Sequence, residues 1–268
     1  MNQISKDQIR QNVRTRYKEI ALQPAEIESC CEPSSGCSGS PANYIDVSAK
    51  LGYSNEELSD VPDGANLGLG CGNPQAIAEL QPGEAVLDLG SGGGFDCFLA
   101  SRQVGETGRV IGVDMTPEMV SRARANAAKG SDFSNTEFRL GEIEHLPVSD
   151  QAVDVIISNC VINLSPDKQQ VFDESFRVLR SGGRLAISDI VTTAELPAEI
   201  KNDMDALYSG CISGASSVDE VKAMLIQSGF IDVVVEPKDE SKTFIKDWVP
   251  GSKAEQYIVS AMIKAVKP

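Results

Sequence analysis

Apolar residues recur at helical spacing at the start of the chain. Ile9, Val13, Tyr17 and Ile20 fall on one face of a helix running from about Ser5 to Ala21. The segment that follows, Cys30 to Pro41, is rich in Ser, Gly, Pro and Cys and reads as loop. Ser54 and Glu57 form a capping box for a short helix, and a glycine-rich stretch, Gly64 to Gly72, ends at Asn73-Pro74. Short apolar runs then alternate with amphipathic ones. Ala85–Leu89, Arg109–Val113, Glu137–Leu140, Val153–Ser158 and Arg184–Ser188 read as strands. Thr116-Pro117-Glu118 opens a helix with a cap, a first-turn proline and an acid, and Asp167 to Leu179 is another helix. Such alternation predicts an α/β fold with a parallel sheet covered on both faces.

Beyond Ile190 the pattern loosens. Residues 191–216 are mixed, with Pro197, Gly210 and Gly214, and the pattern leaves open whether they form a lid. Ser217 and Glu220 cap a further helix. Two β-like runs, Ile231–Val235 and Tyr257–Val266, close the chain, and the Pro250-Gly251 linker between them suits an antiparallel or non-local pairing. Three regions are expected: a helical, cysteine-bearing extension over 1–75, a ligand-binding core over 76–190, and a substrate-binding, sheet-completing region over 191–268.

Composition narrows the function. The chain has 268 residues, 41% of them hydrophobic, enough for a full core. A net charge of -15 repels phosphate backbones and anionic lipids, so neither nucleic acid nor membrane is an expected partner. The segment Met1 to Arg10 lacks the apolar run of a secretory signal. The cysteine count of 7 is odd, which points to free thiols in a reducing, cytoplasmic setting. The single histidine, His145, excludes mechanisms built on a histidine pair or triad, and reads as a surface or packing residue.

Chemistry-bearing residues cluster around one turn. Val86-Leu87-Asp88-Leu89-Gly90-Ser91-Gly92-Gly93-Gly94-Phe95 sets a glycine-rich turn between a strand and a helix, where backbone amides can approach a ligand. Asp114, at the end of the next strand, is placed to accept bonds from ribose hydroxyls. The dinucleotide fingerprint asks for Gly or Ala where Phe95 stands. The Gly90-x-Gly92-x-Gly94 spacing instead resembles the first motif of class I methyltransferases. Leu140-Gly141-Glu142-Ile143-Glu144-His145-Leu146-Pro147 resembles their loop beside the adenine. Asp154-Val155-Ile156-Ile157-Ser158-Asn159 resembles their fourth strand, whose end faces the methyl donor. Val178 to Arg184 is similar to the turn before the fifth strand, with Ser181 where a proline is usual. The resemblance implies a Rossmann-like class I methyltransferase sheet with an N-terminal extension and C-terminal additions. It also implies S-adenosylmethionine as co-substrate, held by Asp88, Gly90, Ser91, Gly92, Gly94, Asp114, Met115, Glu142, Ile143 and Asn159.

Three cysteines stand in unusual settings. Cys160 follows the fourth strand in Asn159-Cys160-Val161-Ile162-Asn163, so a thiol takes the place where oxygen and nitrogen methyltransferases usually need a base. Cys71, in Gly70-Cys71-Gly72-Asn73, and Cys211, in Gly210-Cys211-Ile212-Ser213-Gly214, are flanked by glycines, unlike Cys97, which reads as a core helix residue. In these contexts, and in Ile245-Lys246-Asp247-Trp248-Val249-Pro250-Gly251-Ser252, the chain resembles microbial arsenite methyltransferases from about Tyr53 onward. The resemblance implies that Cys71, Cys160 and Cys211 bind trivalent arsenic. It implies a thiol reductant, such as thioredoxin or glutathione, as a further partner. Cys37 is the suggested redox partner of Cys71, and the roles of Cys30 and Cys31 stay open. Two other readings are weighed: a carbon- or oxygen-methyltransferase of a quinone or sterol, which needs no glycine-flanked thiols, and a structural metal-binding module, for which paired Cys-x-x-Cys knuckles are missing.

Overall fold

The computed structural model describes residues 5–23, 44–130, 132–197, 212, 214–246, 248 and 253–268. Cys30, Cys31, Cys37 and Cys211 lie outside the described residues. The described part is built on one sheet, with strands β1 (Ala85–Leu89), β2 (Arg109–Asp114), β3 (Thr136–Leu140), β4 (Val153–Asn159), β5 (Leu179–Thr192), β6 (Ser216–Ser217), β7 (Ile231–Lys238) and β8 (Ile258–Val266). Their order is β3-β2-β1-β4-β5-β8-β7, with the two-residue β6 beside β5. The β3-to-β5 part is parallel, while β8 runs antiparallel to both β5 and β7. This is the Rossmann-like methyltransferase arrangement expected from the sequence.

Alternation along the strands decides which face each residue packs. Leu87, Leu89, Ile156, Leu185 and Ile187 share one core with Val171, Phe172 and Val178 of α7 (Lys168–Val178) and with Val221 and Leu225 of α8 (Val218–Gln227). Val86, Val110, Val155 and Ile157 share the opposite core with Phe98 and Val104 of α5 (Phe95–Val104) and with Val120 and Ala123 of α6 (Pro117–Ala127). Strands covered on both faces are buried along their whole length, as β1 is, with Asp88 its one polar residue.

The N-terminal periodicity forms α1 (Lys6–Ala21), and both expected capping boxes are present, at Ser54/Glu57 before α3 (Asn55–Ser59) and at Ser217/Glu220 before α8. α2 (Tyr44–Lys50) and α4 (Gln75–Ala78) complete the N-terminal part. β5 is longer than the run Arg184–Ser188, because β8 pairs with it as far as Thr192 and a register shift beside β4 absorbs the turn at Gly182. β1 lies between β2 and β4, so the crevice at the carboxyl ends of these three strands is the switch point where α/β folds bind ligands.

Candidate active site

The turn after β1 shapes the floor of that crevice. The amides of Gly90 and Ser91 both donate to the Val113 carbonyl, at 2.8 and 3.0 Å, folding the turn against β2. Gly90 has φ 73°, and a Cβ there would lie 2.4 Å from the Val161 side chain, so no other residue fits. Asp114 closes the far side. Its Oδ2 accepts from the Gly92 amide at 3.0 Å and its Oδ1 from the Thr116 amide at 2.8 Å. Burial raises the Asp114 carboxyl above its ordinary value, and these amide bonds pull it back.

Above the turn lies a cleft of about 1060 Å³ measured out to its open mouth. Asp88 of β1 and Gly90, Ser91 and Gly92 of the glycine turn line it, with Asp114 and Met115 at the end of β2, Ile143 in the loop after β3, and Asn159 and Cys160 at the end of β4. Two other residues expected there are not on its wall. Gly94, at φ 94°, faces Phe98 and Phe138 beneath the turn, and Glu142 pairs with Arg10 and Arg14. His145 is exposed, as the sequence indicated.

α1 is laid over this cleft, with Arg10, Val13 and Tyr17 on its wall. Lys6, Arg10, Arg14 and Lys18 are spaced four apart and so share a helix face. They pair with Asp167, with Glu142 and Glu144, with Glu142, and with Glu118. Arg10 is the one lysine or arginine on the described wall, and it is taken up by Glu144 at 3.2 Å. The wall otherwise carries the carboxyls of Asp88, Asp96 and Asp114, and the Ser91 hydroxyl is buried without a hydrogen-bond partner. Such a cleft fits a cationic ligand with hydroxyl groups and no phosphate.

The two described candidate thiols meet at the edge of the same cleft. The sulfurs of Cys71 and Cys160 and a carboxylate oxygen of Asp189 all lie within 4.8 Å of one another, and all three residues are buried. The surrounding wall is apolar, with Ile190, Leu196, Ile212, Ile245 and Ile258, and with Trp248 and Tyr257 packed against it. Cys160 sits at φ 60°, a left-handed conformation unusual for a side chain with a Cβ, and its amide donates to the Ser188 carbonyl at 2.8 Å. The Cys71 thiol points at the same Ser188 carbonyl, at 3.6 Å.

The backbone of Cys71 is held from the neighbour of Cys160. Asn159 Oδ1 accepts the Cys71 amide at 2.9 Å, and its Nδ2 donates to the Gly72 carbonyl at 2.9 Å. Tyr53 and Asp96 orient this amide: Nδ2 also donates to the Tyr53 hydroxyl at 3.0 Å, and that hydroxyl donates to Asp96 Oδ1 at 2.7 Å. The glycines around Cys71 allow this approach. A Cβ on Gly70 would lie 2.6 Å from the Asn159 amide, and one on Gly72 would lie 2.9 Å from the Ser188 side chain. Cys97 differs in kind: its thiol donates to Asp88 Oδ2 at 3.2 Å, and burial with that carboxylate pushes it up, so it stays protonated inside α5.

Tyr53, Asp96, Arg10 and Asp189 were not singled out in the sequence. Asp189 carried a signal, since it stands in the apolar run Leu185 to Val191, where an unpaired carboxyl is costly. Its oxygens accept the amides of Ile162 at 2.9 Å and Ile190 at 2.7 Å and the Asn163 side chain at 2.8 Å. Burial pushes its carboxyl up to about 6 against the pull of these donors and of Lys168. A raised carboxyl contributes stability that is present at acid pH, below its unfolded value, and lost as pH rises through the folded one. The Asp189 carboxyl resonance should therefore titrate with a midpoint near 6 in a carbon-13 experiment, and a midpoint at the ordinary value of about 4 would mean a wet site.

Comparison with known proteins gives consistent likenesses. A family model described as "Methyltransferase domain" matches residues 80–229. An arsenite methyltransferase of Halobacterium salinarum is 53% identical over 98% of this chain and 67% of its own length. An arsenite methyltransferase of Homo sapiens is 35% identical over 83% of this chain and 58% of its own. The chain thus spans roughly three fifths to two thirds of these curated relatives. The crystal structure of an arsenic(III) S-adenosylmethionine methyltransferase from Chlamydomonas reinhardtii superposes with TM-score 0.62 at 32% identity, covering 85% of this chain and 75% of that one.

Proposed function

Since the chain belongs to the arsenite methyltransferases, we propose that it transfers the methyl group of S-adenosylmethionine to trivalent arsenic held by Cys71, Cys160 and Cys211, an arsenic detoxification. The observation that carries this reading is the double position of Cys160, which lines the cleft and also stands within 4.8 Å of the Cys71 sulfur. Cys211 is carried over from the sequence resemblance; its neighbour Ile212 packs in the same apolar cluster as the other two cysteines.

The chemistry suits an apolar thiol pocket. Arsenous acid exchanges hydroxides for thiolates, and each exchange releases water, so a neutral substrate stays neutral. Three sulfurs form a pyramid and leave the arsenic lone pair free. S-adenosylmethionine supplies a methyl group on a sulfonium. The lone pair forms the arsenic–carbon bond while the carbon–sulfur pair stays on the departing sulfur, so no base is required. Arsenic is left formally pentavalent and cationic, and two thiols return it to the trivalent state by leaving as a disulfide. What the chain provides is alignment, which in favourable cases is worth ~7–11 kcal/mol, and exclusion of competing water. Asp114 would accept from the ribose hydroxyls, Met115 and Ile143 would lie beside the adenine, and Arg10, Val13 and Tyr17 of α1 would cover the donor. A thiol reductant, of thioredoxin or glutathione type, restores the cysteines in a reducing, cytoplasmic setting. No helix among the described residues is long and apolar enough to cross a membrane.

The test is arsenic speciation after incubating the protein with S-adenosylmethionine, arsenite and a thiol, beside a quinone acceptor. Methylated arsenicals are expected; methylated quinone without them would overturn the reading. For the donor site, Asp114→Ala should lower S-adenosylmethionine affinity about ten- to a hundredfold, because hydrogen bonds to an ionised acceptor are worth ~1.5–3 kcal/mol. An unchanged calorimetric affinity would take Asp114 out of the donor site.

A further inference from the structure

The arsenic chemistry uses thiols and leaves the third member of the buried cluster, Asp189, without a part. We propose that Cys71, Cys160 and Asp189 also form an inhibitory site for a divalent cation of zinc or cadmium type, which competes with arsenic for the two thiols. The proposal concerns the same pocket and rests on the arsenic reading only for the identity of the competitor.

The donor set separates the two ligands. Trivalent arsenic is soft and is satisfied by sulfur, whereas zinc-type cations accept thiolate sulfur and carboxylate oxygen together. Their bond lengths of roughly 2.0–2.3 Å set tetrahedral ligand atoms roughly 3.5–3.8 Å apart. The three ligand atoms already lie within 4.8 Å of one another, so small side-chain rotations close the set.

Each ligand is also oriented from behind, as metal ligands generally are. Asp189 Oδ1 accepts from Asn163 Nδ2 and the Ile190 amide, whereas Oδ2 accepts only the Ile162 amide among the described hydrogen bonds and keeps a lone pair for a cation. The backbones of the cysteines are fixed through Ser188 and Asn159.

Charge favours the cation further. Two thiolates and a carboxylate nearly balance a dication inside an apolar wall, where unbalanced charge is expensive. The two thiol protons leave to solvent as the metal–sulfur bonds form. A net charge of -15 raises the local concentration of dications around the whole chain. Three protein ligands leave a fourth position for water, a pattern of exchangeable sites and not of closed structural ones.

The experiment uses the full chain carrying C30S, C31S and C37S, titrated with cadmium chloride and followed by the ultraviolet absorption of cadmium thiolates. Arsenite is titrated in parallel by the fluorescence of Trp248, the single tryptophan, which packs against the pocket. Asp189→Ala should lower cadmium affinity by about tenfold or more and arsenite affinity far less, shifting their ratio. Asp189→Asn, which keeps the side-chain volume, should shift it in the same direction. An unchanged cadmium affinity, or equal losses for both ligands, would overturn the proposal, the second outcome showing that Asp189 only holds the loop after β4. In turnover of the native chain, cadmium should compete with arsenite and not with S-adenosylmethionine; inhibition noncompetitive toward arsenite would also overturn it. Cys160→Ser should lose cadmium binding. If that variant kept arsenite binding, the arsenic assignment would fall while the cation site stood.

Discussion

Replacing Cys160 with serine should abolish methylation of both arsenite and monomethylarsenite, lowering turnover by more than about a hundredfold. Serine differs by one atom, but its oxygen does not hold trivalent arsenic against water as a thiolate does. Among the described cysteines Cys160 is the one that lines the donor cleft, so its loss removes both an arsenic ligand and a link between arsenic and methyl group. Backbone placement should survive. The left-handed φ of 60° and the amide bond to Ser188 do not involve the sulfur. S-adenosylmethionine affinity, measured by calorimetry, should therefore stay near that of the native chain. Full activity of Cys160→Ser on both substrates would remove this thiol from the reaction, and with it the assignment of arsenic to the three-cysteine site.

Much of this frame is legible in the residues, because the signals are local. The capping boxes at Ser54 and Ser217 need only a Ser and a Glu three positions on, and both form. The glycine turn and Asp114 are legible for the same reason: a strand, a turn and the next strand end fix their relation within a few residues. What escaped depends on distance along the chain. The strand position of Asn159 predicts a place on the donor wall, and it does line the cleft. Its amide, however, is engaged with Cys71 and Gly72, 88 and 87 residues away, a relation that no spacing rule contains. Glu142 sits in the expected loop but turns to α1, since Arg10 and Arg14 come from a helix more than a hundred residues upstream. Gly94 shows a different limit. A glycine run reveals that the backbone must turn tightly, not which of its members faces the ligand and which, like Gly94, is wedged against Phe98 and Phe138.

Cys71→Ser should behave differently from Cys160→Ser, and the difference follows from valence. Arsenite has three exchangeable positions and monomethylated trivalent arsenic has two, so one thiol must leave arsenic after the first methyl transfer. Cys160 is tied to β4 and the cleft, so it is expected to stay. Cys71 reaches the site from the stretch before α4, outside the sheet, where the Asn159 side chain bonds its amide and the next carbonyl. It is the thiol best placed to be released. Methyl transfer leaves arsenic formally pentavalent, and the thiolate of Cys37, the proposed partner, attacks the Cys71 sulfur. The arsenic–sulfur pair returns to arsenic and restores its trivalent state, and the Cys71–Cys37 disulfide so formed is what a reductant must then reopen. Cys71→Ser should thus lose methylation of arsenite by about a hundredfold while keeping a substantial part of the methylation of monomethylarsenite, for which Cys160 and Cys211 suffice. Cys211→Ser, by contrast, should lose both. The measurement is product speciation for each variant with each arsenical, under a fixed thiol supply. Equal loss of both activities in Cys71→Ser would end the release scheme and leave a site in which all three thiols are needed at every step.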